Sequence, residues 1–269
     1  MSLQQEIIER LGVKPSIRVE EEVRKRVDFL KEYVTKSGVT GLLIAISGGI
    51  DSAVVAGLCK QATDELSQET GREYMTLGVF QPYGTQEDID HSYEVAKAFN
   101  LKHTVETNIE DAVNEIALET EHAFKSLSIH RHISIPGKGN VKARTRMVVQ
   151  YALAFDLNLL VVGTDHASEA ITGFYTKWGD GAVDITPLST LNKRQVRELA
   201  AHIGVPKSVL DKVPTAGLWE GQTDEGELGI TYDENSDYLE GKDIPQAARE
   251  KLEKQYLKTE HKRSAIPGI

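Results

Sequence analysis

Short apolar runs alternate with longer segments of helical periodicity along most of this chain of 269 residues. The run GLLIAI (41–46) is continuous and apolar, which is typical of a strand buried on both faces. Strands that alternate with helices indicate a parallel sheet that helices cover on both sides. The pattern therefore predicts a single doubly wound, Rossmann-like α/β domain over residues 1–269, with a mostly parallel sheet flanked by helices.

The same periodicity gives each element a position. Strands are predicted at 41–46, 74–80, 102–107 and 158–163, with a last short strand at 182–188. Helices are predicted at 19–34, 51–66, 85–99, 109–125, 140–156, 192–203 and 245–258.

Residues 205–243 interrupt this alternation. The part from 220 to 243 contains nine acidic residues and one lysine, and several glycines are spread along the segment. One interpretation of this composition is a solvated surface loop. Long loops in compact domains are often lids, so the other interpretation is a mobile lid that orders over a ligand.

Composition excludes several classes of protein. A formal net charge of −10 argues against a broad nucleic-acid interface, which favours basic faces. The single cysteine, Cys59, permits no intramolecular disulfide and fits a reducing compartment. The N-terminus MSLQQEIIERLG lacks the pattern of a signal peptide, and the longest apolar runs are too short to cross a bilayer. We therefore expect a cytoplasmic protein with neither a nucleic-acid nor a membrane partner.

The stretch AISGGIDSAVV (45–55) places two glycines between a predicted strand and a predicted helix. Glycines allow positive φ and a close approach of the backbone to a ligand, and the first amides of a helix attract anions. Ser47–Ser52 therefore predicts a phosphate-binding loop. The stretch has no Gly-Lys-Ser/Thr ending, no GxGxxG spacing and no GxSxG, so a Walker A loop, a dinucleotide fingerprint and a nucleophile elbow are not supported.

Asp51 adds a carboxylate to this loop. A carboxylate beside bound phosphates repels them unless a cation lies between, and Mg²⁺ is commonly held by one or two carboxylates together with phosphate oxygens. Asp51 therefore predicts a magnesium–nucleotide complex rather than free phosphate. The alternative is an ordinary strand–turn–helix corner in which Asp51 interacts with the helix dipole.

The motif SGGxDS resembles the signature of the ATP pyrophosphatases, which cleave ATP between its α and β phosphates. Further stretches look like the ammonia-dependent NAD synthetases and follow one another in order over nearly the whole chain. They are GNVKARTRMVVQYALA (139–154), GTDHASEAITGFYTKWGDGAVDITPLSTLNKRQVREL (163–199), PTAGLWEGQTDEGELGITYDE (214–234) and HKR (261–263).

This resemblance implies a fold of the adenine nucleotide alpha hydrolase type and a ligase that forms a C–N bond. The expected reaction is the last step of NAD biosynthesis, in which deamido-NAD is amidated by ammonia through an adenylylated intermediate, releasing AMP and pyrophosphate. ATP is a co-substrate and Mg²⁺ the expected cofactor. The resemblance also implies a homodimer with deamido-NAD at the subunit interface, and we expect helices 19–34 and 140–156 to form the contact.

The resemblance assigns roles to individual residues, and none of them is a side-chain nucleophile. Those expected to bind ATP are Ala45, Ile46, Ser47, Gly48, Gly49, Ile50, Asp51, Ser52, Thr164, Lys193 and Thr215. Those expected to bind deamido-NAD are Arg144, Lys177, Asp184, His261 and Lys262. The expected Mg²⁺ ligands are Asp51 and Glu169.

Several of these residues also have an ordinary structural interpretation. Glu169 is alternatively a plain surface acid, and Lys193 a solvated lysine in the first turn of a helix. The remaining alternatives are a solvent-facing side chain for Arg144, a loop acid for Asp184, and a basic tail for residues 261–263. The aromatic residue that stacks on the nicotinate ring is left open among Phe174, Tyr175, Trp178 and Tyr33.

Cys59 bears on the nitrogen donor, because glutamine-using relatives carry an amidase domain with a cysteine nucleophile. Cys59 lies on the apolar face of helix 51–66 and is expected to be a buried small hydrophobe. Free ammonia is therefore the predicted donor. Two rival functions remain open: another ATP pyrophosphatase, such as a GMP synthetase core or a tRNA-modifying enzyme, and a nucleotide sensor without catalysis.

Overall fold

The computed structural model describes residues 2–212 and 223–268. Its strands are β1 (Gly41–Ala45), β2 (Met75–Phe80), β3 (His103–Glu106) and β4 (Leu159–Val162). Its helices are α1 (Leu3–Leu11), α2 (Val19–Ser37), α3 (Ile50–Thr70), α4 (Ile89–Ala98), α5 (Glu110–Ser126), α6 (Ile135–Leu157), α7 (Ala167–Thr172), α8 (Lys193–Ile203), α9 (Lys207–Leu210), α10 (Asp224–Leu228), α11 (Tyr232–Leu239), α12 (Gln246–Lys258) and α13 (Glu260–Arg263).

The four strands form one parallel sheet in the order β3–β2–β1–β4. β1 is central, and its Leu43 pairs with Leu77 of β2 on one side and Val161 of β4 on the other. The chain adds β2 and β3 on one side of β1 and later returns to place β4 on the opposite side. Ligands of open α/β sheets bind at such a reversal, beyond the carboxyl ends of the strands. The predicted fold class is confirmed.

Two helical layers cover the sheet. α2, α3 and α8 bury one face, where Leu30, Val54 and Leu199 are fully buried in a common cluster. α6 lies against the other face, where Ala154 packs in a cluster with Leu43 and Val161. Strand burial from both sides explains why the sequence shows continuous apolar runs instead of alternation.

A second core forms beside the sheet and contains part of the acidic segment. Ile7 of α1, Ile171 of α7 and Leu252 of α12 pack there with Tyr238 and Leu239 of α11. The interpretation of 205–243 as a loop is therefore wrong for its described parts, which include α9, α10 and α11. Its apolar residues lie on helical faces that the surrounding acids and glycines obscured. Residues 213–222 of the predicted lid lie outside the described residues, and lid motion stays a prediction.

The predicted strand at 182–188 is also wrong. Only Ile185 makes a bridge, with Val162, supported by hydrogen bonds from the Gly163 amide to the Ile185 carbonyl and from the Asp184 amide to the Val161 carbonyl. The Asp184 carboxylate, rather than a backbone carbonyl, accepts from the Val161 amide at 2.7 Å. Pro187 then removes a donor from the same segment, so pairing does not continue.

The other predicted strands are present with bounds that differ by one residue at each end or less, and most predicted helices differ by a few residues. α6 starts at Ile135 instead of 140, after the Ser134 side chain caps it. α1, α7 and α13 were not predicted. Within residues 2–212 and 223–268, no helix combines the length and apolar character that a bilayer crossing demands.

Candidate active site

The loop between β1 and α3 forms the floor of a cavity at the carboxyl end of the sheet. Gly48 has a φ of 74°, a conformation that favours glycine. A Cβ atom at this position would lie 3.1 Å from the backbone nitrogen of Ser92 in α4. Gly49 is the N-cap of α3, and no side chain among the described residues caps this helix. The first amides of α3 can therefore bind an anion, which the helix dipole also attracts.

Two serines hold this loop in shape. The Ser52 hydroxyl donates to the Gly49 carbonyl at 3.0 Å and accepts from the Ser47 amide at 3.2 Å. The Ser47 hydroxyl in turn accepts from the Gly49 amide at 3.3 Å. The predicted strand–loop–helix geometry is therefore present, whereas phosphate binding by the loop stays a prediction.

The cavity above the loop has a volume of about 610 Å³ and extends beside the junction of β1 and β4. The predicted site residues that line it are Ala45, Ile46, Ser47, Gly49, Ile50, Asp51, Ser52, Thr164, Glu169, Lys193 and Lys262. Gly48 faces α4 instead, and Thr215 lies outside the described residues. The structure thus brings together most of the residues predicted to bind ATP, from elements far apart in sequence.

Asp51 and Lys193 form a buried ion pair in the cavity. Lys193 Nζ lies 2.9 and 2.6 Å from the two Asp51 carboxylate oxygens, and its side chain is only 2 % exposed. The interpretation of Lys193 as a solvated lysine is therefore wrong. Burial opposes ionisation of Asp51, but the charges of Lys193 and of His166 prevail and lower its pKa below the ordinary range.

Glu169 lies next to this pair, at the start of α7, and lines the cavity. His166 Nε2 lies 3.7 Å from its carboxylate and 3.4 Å from that of Asp51. Burial raises the pKa of Glu169 to about 8, and the negative charges of Asp51 and Asp165 add to this effect. A side chain only 18 % exposed does not fit the interpretation of Glu169 as a plain surface acid.

The residues around Asp51 fit a divalent cation. One ligand atom each from Asp51, His166 and Glu169 lie within 4.8 Å of one another. Two carboxylates are the protein ligands that Mg²⁺ prefers when phosphate oxygens complete its coordination. A cation here would also offset the repulsion between Glu169 and Asp51, which contributes to the raised pKa of Glu169.

The predicted deamido-NAD residues form a second group at the edge of the cavity. Arg144 donates to the Lys177 carbonyl at 3.2 Å, and Lys177 Nζ donates to the His261 carbonyl at 2.5 Å. Lys262 Nζ donates to the carbonyls of Gly173 and Tyr175. Lys262 lines the cavity, whereas Arg144, Lys177 and His261 are not among its lining residues. The contact of Lys177 with His261 shows that the C-terminal basic residues are not a free tail.

Asp184 is placed differently. Its carboxylate accepts from the Val161 amide and, at 3.2 Å, from the Tyr151 hydroxyl. These contacts give Asp184 a structural role beside β4, and its predicted role in ligand binding stays untested. Among the aromatic candidates for stacking, Phe174 and Tyr175 line the cavity.

Three polar residues of the cavity region were not among the predicted site residues. His166 is fully enclosed beside Asp51, and the stretch TDH (164–166), which begins with Thr164, was the available signal. Arg146 Nε donates to the Gln81 carbonyl at 3.1 Å inside the cavity. Lys212 lines the same cavity and contacts the Gly48 carbonyl, but no sequence pattern marks it. Cys59 is fully buried as predicted, and burial raises the pKa of its thiol.

Comparison with known proteins places this site in a family. Residues 22–266 match the family model described as NAD synthase. The NH(3)-dependent NAD(+) synthetase of Exiguobacterium sibiricum is 46% identical over 263 residues, covering 97% of this chain and 95% of that protein.

Two solved structures are also similar over almost their full lengths. An NMN synthetase from Francisella tularensis has a TM-score of 0.83 and 35% identity, covering 94% of this chain and 99% of the other. A NAD+ synthetase from Burkholderia pseudomallei has a TM-score of 0.82 and 31% identity, covering 97% of this chain and 95% of the other. With a family model and close relatives that span nearly all of its residues, this chain belongs to the NAD synthase family.

Proposed function

We propose that this protein amidates deamido-NAD to NAD with ammonia, at the expense of ATP, and releases AMP and pyrophosphate. The observation that carries this proposal is the convergence of the glycine loop, Asp51, Glu169 and Lys193 on one cavity, in a chain of the NAD synthase family. This arrangement supports a nucleotide with its phosphates at the loop and its cation at the two carboxylates.

The chemistry requires activation of a carboxylate. The nicotinate carboxylate of deamido-NAD attacks the α-phosphorus of ATP, the bond to the bridging oxygen breaks, and pyrophosphate leaves. Ammonia then attacks the carbonyl carbon of the adenylylated intermediate. AMP leaves with the electrons of the broken C–O bond, and the nitrogen loses one proton. No protein nucleophile enters either step, so the enzyme acts by positioning and by charge stabilisation.

The residues of the cavity suit these tasks. The amides at the start of α3 would bind the polyphosphate, and Lys193 would stabilise the negative charge that develops on the leaving group. Asp51 and Glu169 would hold Mg²⁺, which neutralises phosphate charge when it is bound. Thr164 would contact ATP from the end of β4. His166 would fix the orientation of both carboxylates.

Deamido-NAD would bind beside the cavity, at Arg144, Lys177, His261 and Lys262, with Asp184 as a further predicted contact. We propose a homodimer in which α6 contributes to the contact, because Val148 and Phe155 of this helix are 59% and 87% exposed. Such apolar exposure along a helix favours an interface. We also propose that α2 takes part in the dimer contact. The proposed location of the protein is the cytoplasm.

The competing possibility is that the substrate is nicotinate mononucleotide, which lacks the adenylate half of deamido-NAD, since a structural relative is named an NMN synthetase. Purified protein is incubated with Mg-ATP and ammonium, and with either deamido-NAD or nicotinate mononucleotide at equal concentration. We expect NAD, AMP and pyrophosphate in equal amounts, with deamido-NAD the better substrate. ADP with phosphate, or faster turnover of the mononucleotide, would refute the corresponding part of the proposal. Glutamine in place of ammonium is expected to give little product.

A further inference from the structure

Lys212 lies just beyond α9 and lines the cavity. Its side chain is 18% exposed, and its ammonium lies 2.5 Å from the carboxylate of Asp88. The same ammonium is 3.5 Å from the carbonyl oxygen of Gly48. Lys212 and Asp88 both line the cavity, so this pair meets the glycine loop at the place where phosphates are proposed to bind.

Two other lysines of the cavity, Lys193 and Lys262, are held more firmly. Lys193 is 2% exposed and contacts both oxygens of Asp51. Lys262 donates to two backbone carbonyls, at 2.7 and 2.6 Å. The Lys212–Asp88 pair uses one carboxylate oxygen, and Asp88 is 38% exposed. A part-exposed, single-contact ion pair is weak, so an anion of higher charge can replace the carboxylate.

We propose that Lys212 is a phosphate-binding residue whose ammonium exchanges Asp88 for the β- and γ-phosphates of ATP and stays with the departing pyrophosphate. This inference rests on the proposed function of the same site. Pyrophosphate gains negative charge as the bond to the α-phosphorus breaks, so a cation at this end stabilises the transition state more than bound ATP. Asp88 holds the ammonium beside the glycine loop until the nucleotide arrives.

A purely structural role makes a different prediction. If Lys212 only ties residue 88 to the glycine loop, removing either partner breaks the same contact and has the same effect. If Lys212 binds phosphate, Asp88 competes with the ligand, and only the substitution of Lys212 weakens phosphate binding. The pair therefore distinguishes the two roles by whether loss of Asp88 weakens binding as well.

The experiment measures binding of Mg-pyrophosphate, and separately of AMP, by calorimetry. We expect Lys212→Gln to weaken pyrophosphate binding about tenfold or more, because a charge-assisted hydrogen bond is lost. The same substitution should weaken AMP binding by less than about twofold. Asp88→Asn is expected to leave pyrophosphate binding unchanged or stronger. Lys212→Arg is expected to retain most of it. Lys207→Gln is the matched control, because Lys207 lies on α9, pairs with Asp211 and is 84% exposed.

The inference is overturned if Asp88→Asn weakens pyrophosphate binding as Lys212→Gln does, if AMP is affected equally, or if Lys207→Gln has the same effect. Melting curves identify a variant that fails to fold, in which case Lys212→Arg and Asp88→Asn decide the question. Turnover of deamido-NAD tests the proposed function separately. A wild-type protein that makes no NAD yet binds pyrophosphate through Lys212 would refute that function and keep this site.

Discussion

Two regions border the cavity and owe their structure to different causes. The cavity floor consists of the glycine loop with Asp51, Glu169 and Lys193, whereas the acidic wall consists of residues 223–239, of which Asp224 and Glu227 line the cavity. On the floor, the buried charges of Asp51, Glu169 and Lys193 face one another inside the cavity. In the wall, acids cover helices whose apolar residues belong to the second core. Local charge density alone therefore does not separate a reactive site from a solvated face.

The Lys193 ammonium illustrates the contact between the two regions. It lies 5.0 Å from the ring centre of Tyr232 in the acidic wall, and the Tyr232 hydroxyl donates to Asp224 at 2.8 Å. A cation over an aromatic face is attracted to it, so the Tyr232 ring of the wall contributes a favourable contact to the floor. If the two regions differ as described, substitutions in the floor should reduce turnover and substitutions in the wall should reduce stability.

The largest effect is expected in the floor. Asp51→Asn removes the carboxylate that faces Lys193 and the predicted cation, and we expect turnover to fall by about 100-fold or more. AMP release under saturating substrates measures this. Asp64→Asn is the matched control, because Asp64 lies on the same helix with a 52% exposed side chain. Turnover by Asp51→Asn equal to that of Asp64→Asn would contradict a role for the Asp51 carboxylate in the reaction.

Leu239→Ala tests the wall as a packed element. Leu239 is fully buried, so the lost contacts and the resulting cavity should cost about 2–5 kcal/mol of unfolding free energy. The rate constant per folded molecule should change little. Chemical denaturation measures the difference, with Leu257→Ala as a control because Leu257 is 60% exposed. A negligible loss would mean that the acidic segment does not contribute to the core.

The pH dependence of stability tests the floor in a different way. With its pKa raised to about 8, Glu169 stays protonated in the folded state while the unfolded residue ionises near its ordinary value. The folded state then binds more protons, so stability falls as pH rises from about 4.5 to 8. We expect Glu169→Gln to reduce this loss by about 1–2 kcal/mol in chelator-treated protein. The same slope in both proteins would show that the carboxyl is not perturbed.

The smallest effect is expected for Tyr232→Phe. The change removes the hydrogen bond to Asp224 but keeps the ring beside Lys193, so unfolding free energy should fall by about 1 kcal/mol. Tyr93→Phe removes an exposed bond to Glu106 and should cost less. A large loss of turnover in Tyr232→Phe would show that the Tyr232 hydroxyl contributes to the reaction and not only to stability.

The sequence predicted the floor better than the wall because the two carry different signals. The floor is built largely from one contiguous segment, which consists of β1, the glycine loop and α3. The apolar run of β1 and the glycines of the loop can therefore be recognised from the local sequence. The acidic wall packs against α12 and also depends on partners in α1 and α7, which are distant in sequence. The helical faces of Tyr238 and Leu239 are only evident once those partners are known.

Individual site residues show the same division. Thr164, Glu169 and Lys193 were predicted from resemblance, and the fold then brings them to the glycine loop from β4, α7 and α8. Lys212 was missed because its relation to Gly48 spans 164 positions and follows no motif. Asp184 was predicted as a ligand contact, yet its carboxylate pairs with the backbone of β4, an arrangement that no periodicity reveals.

The most direct test is a crystal structure with magnesium and an ATP analogue that has a non-hydrolysable link between its α and β phosphates. We expect phosphate oxygens within hydrogen-bond distance of the amides that open α3, and the cation between Asp51 and Glu169. A polyphosphate chain bound elsewhere, with those amides facing solvent, would contradict the proposed enzyme.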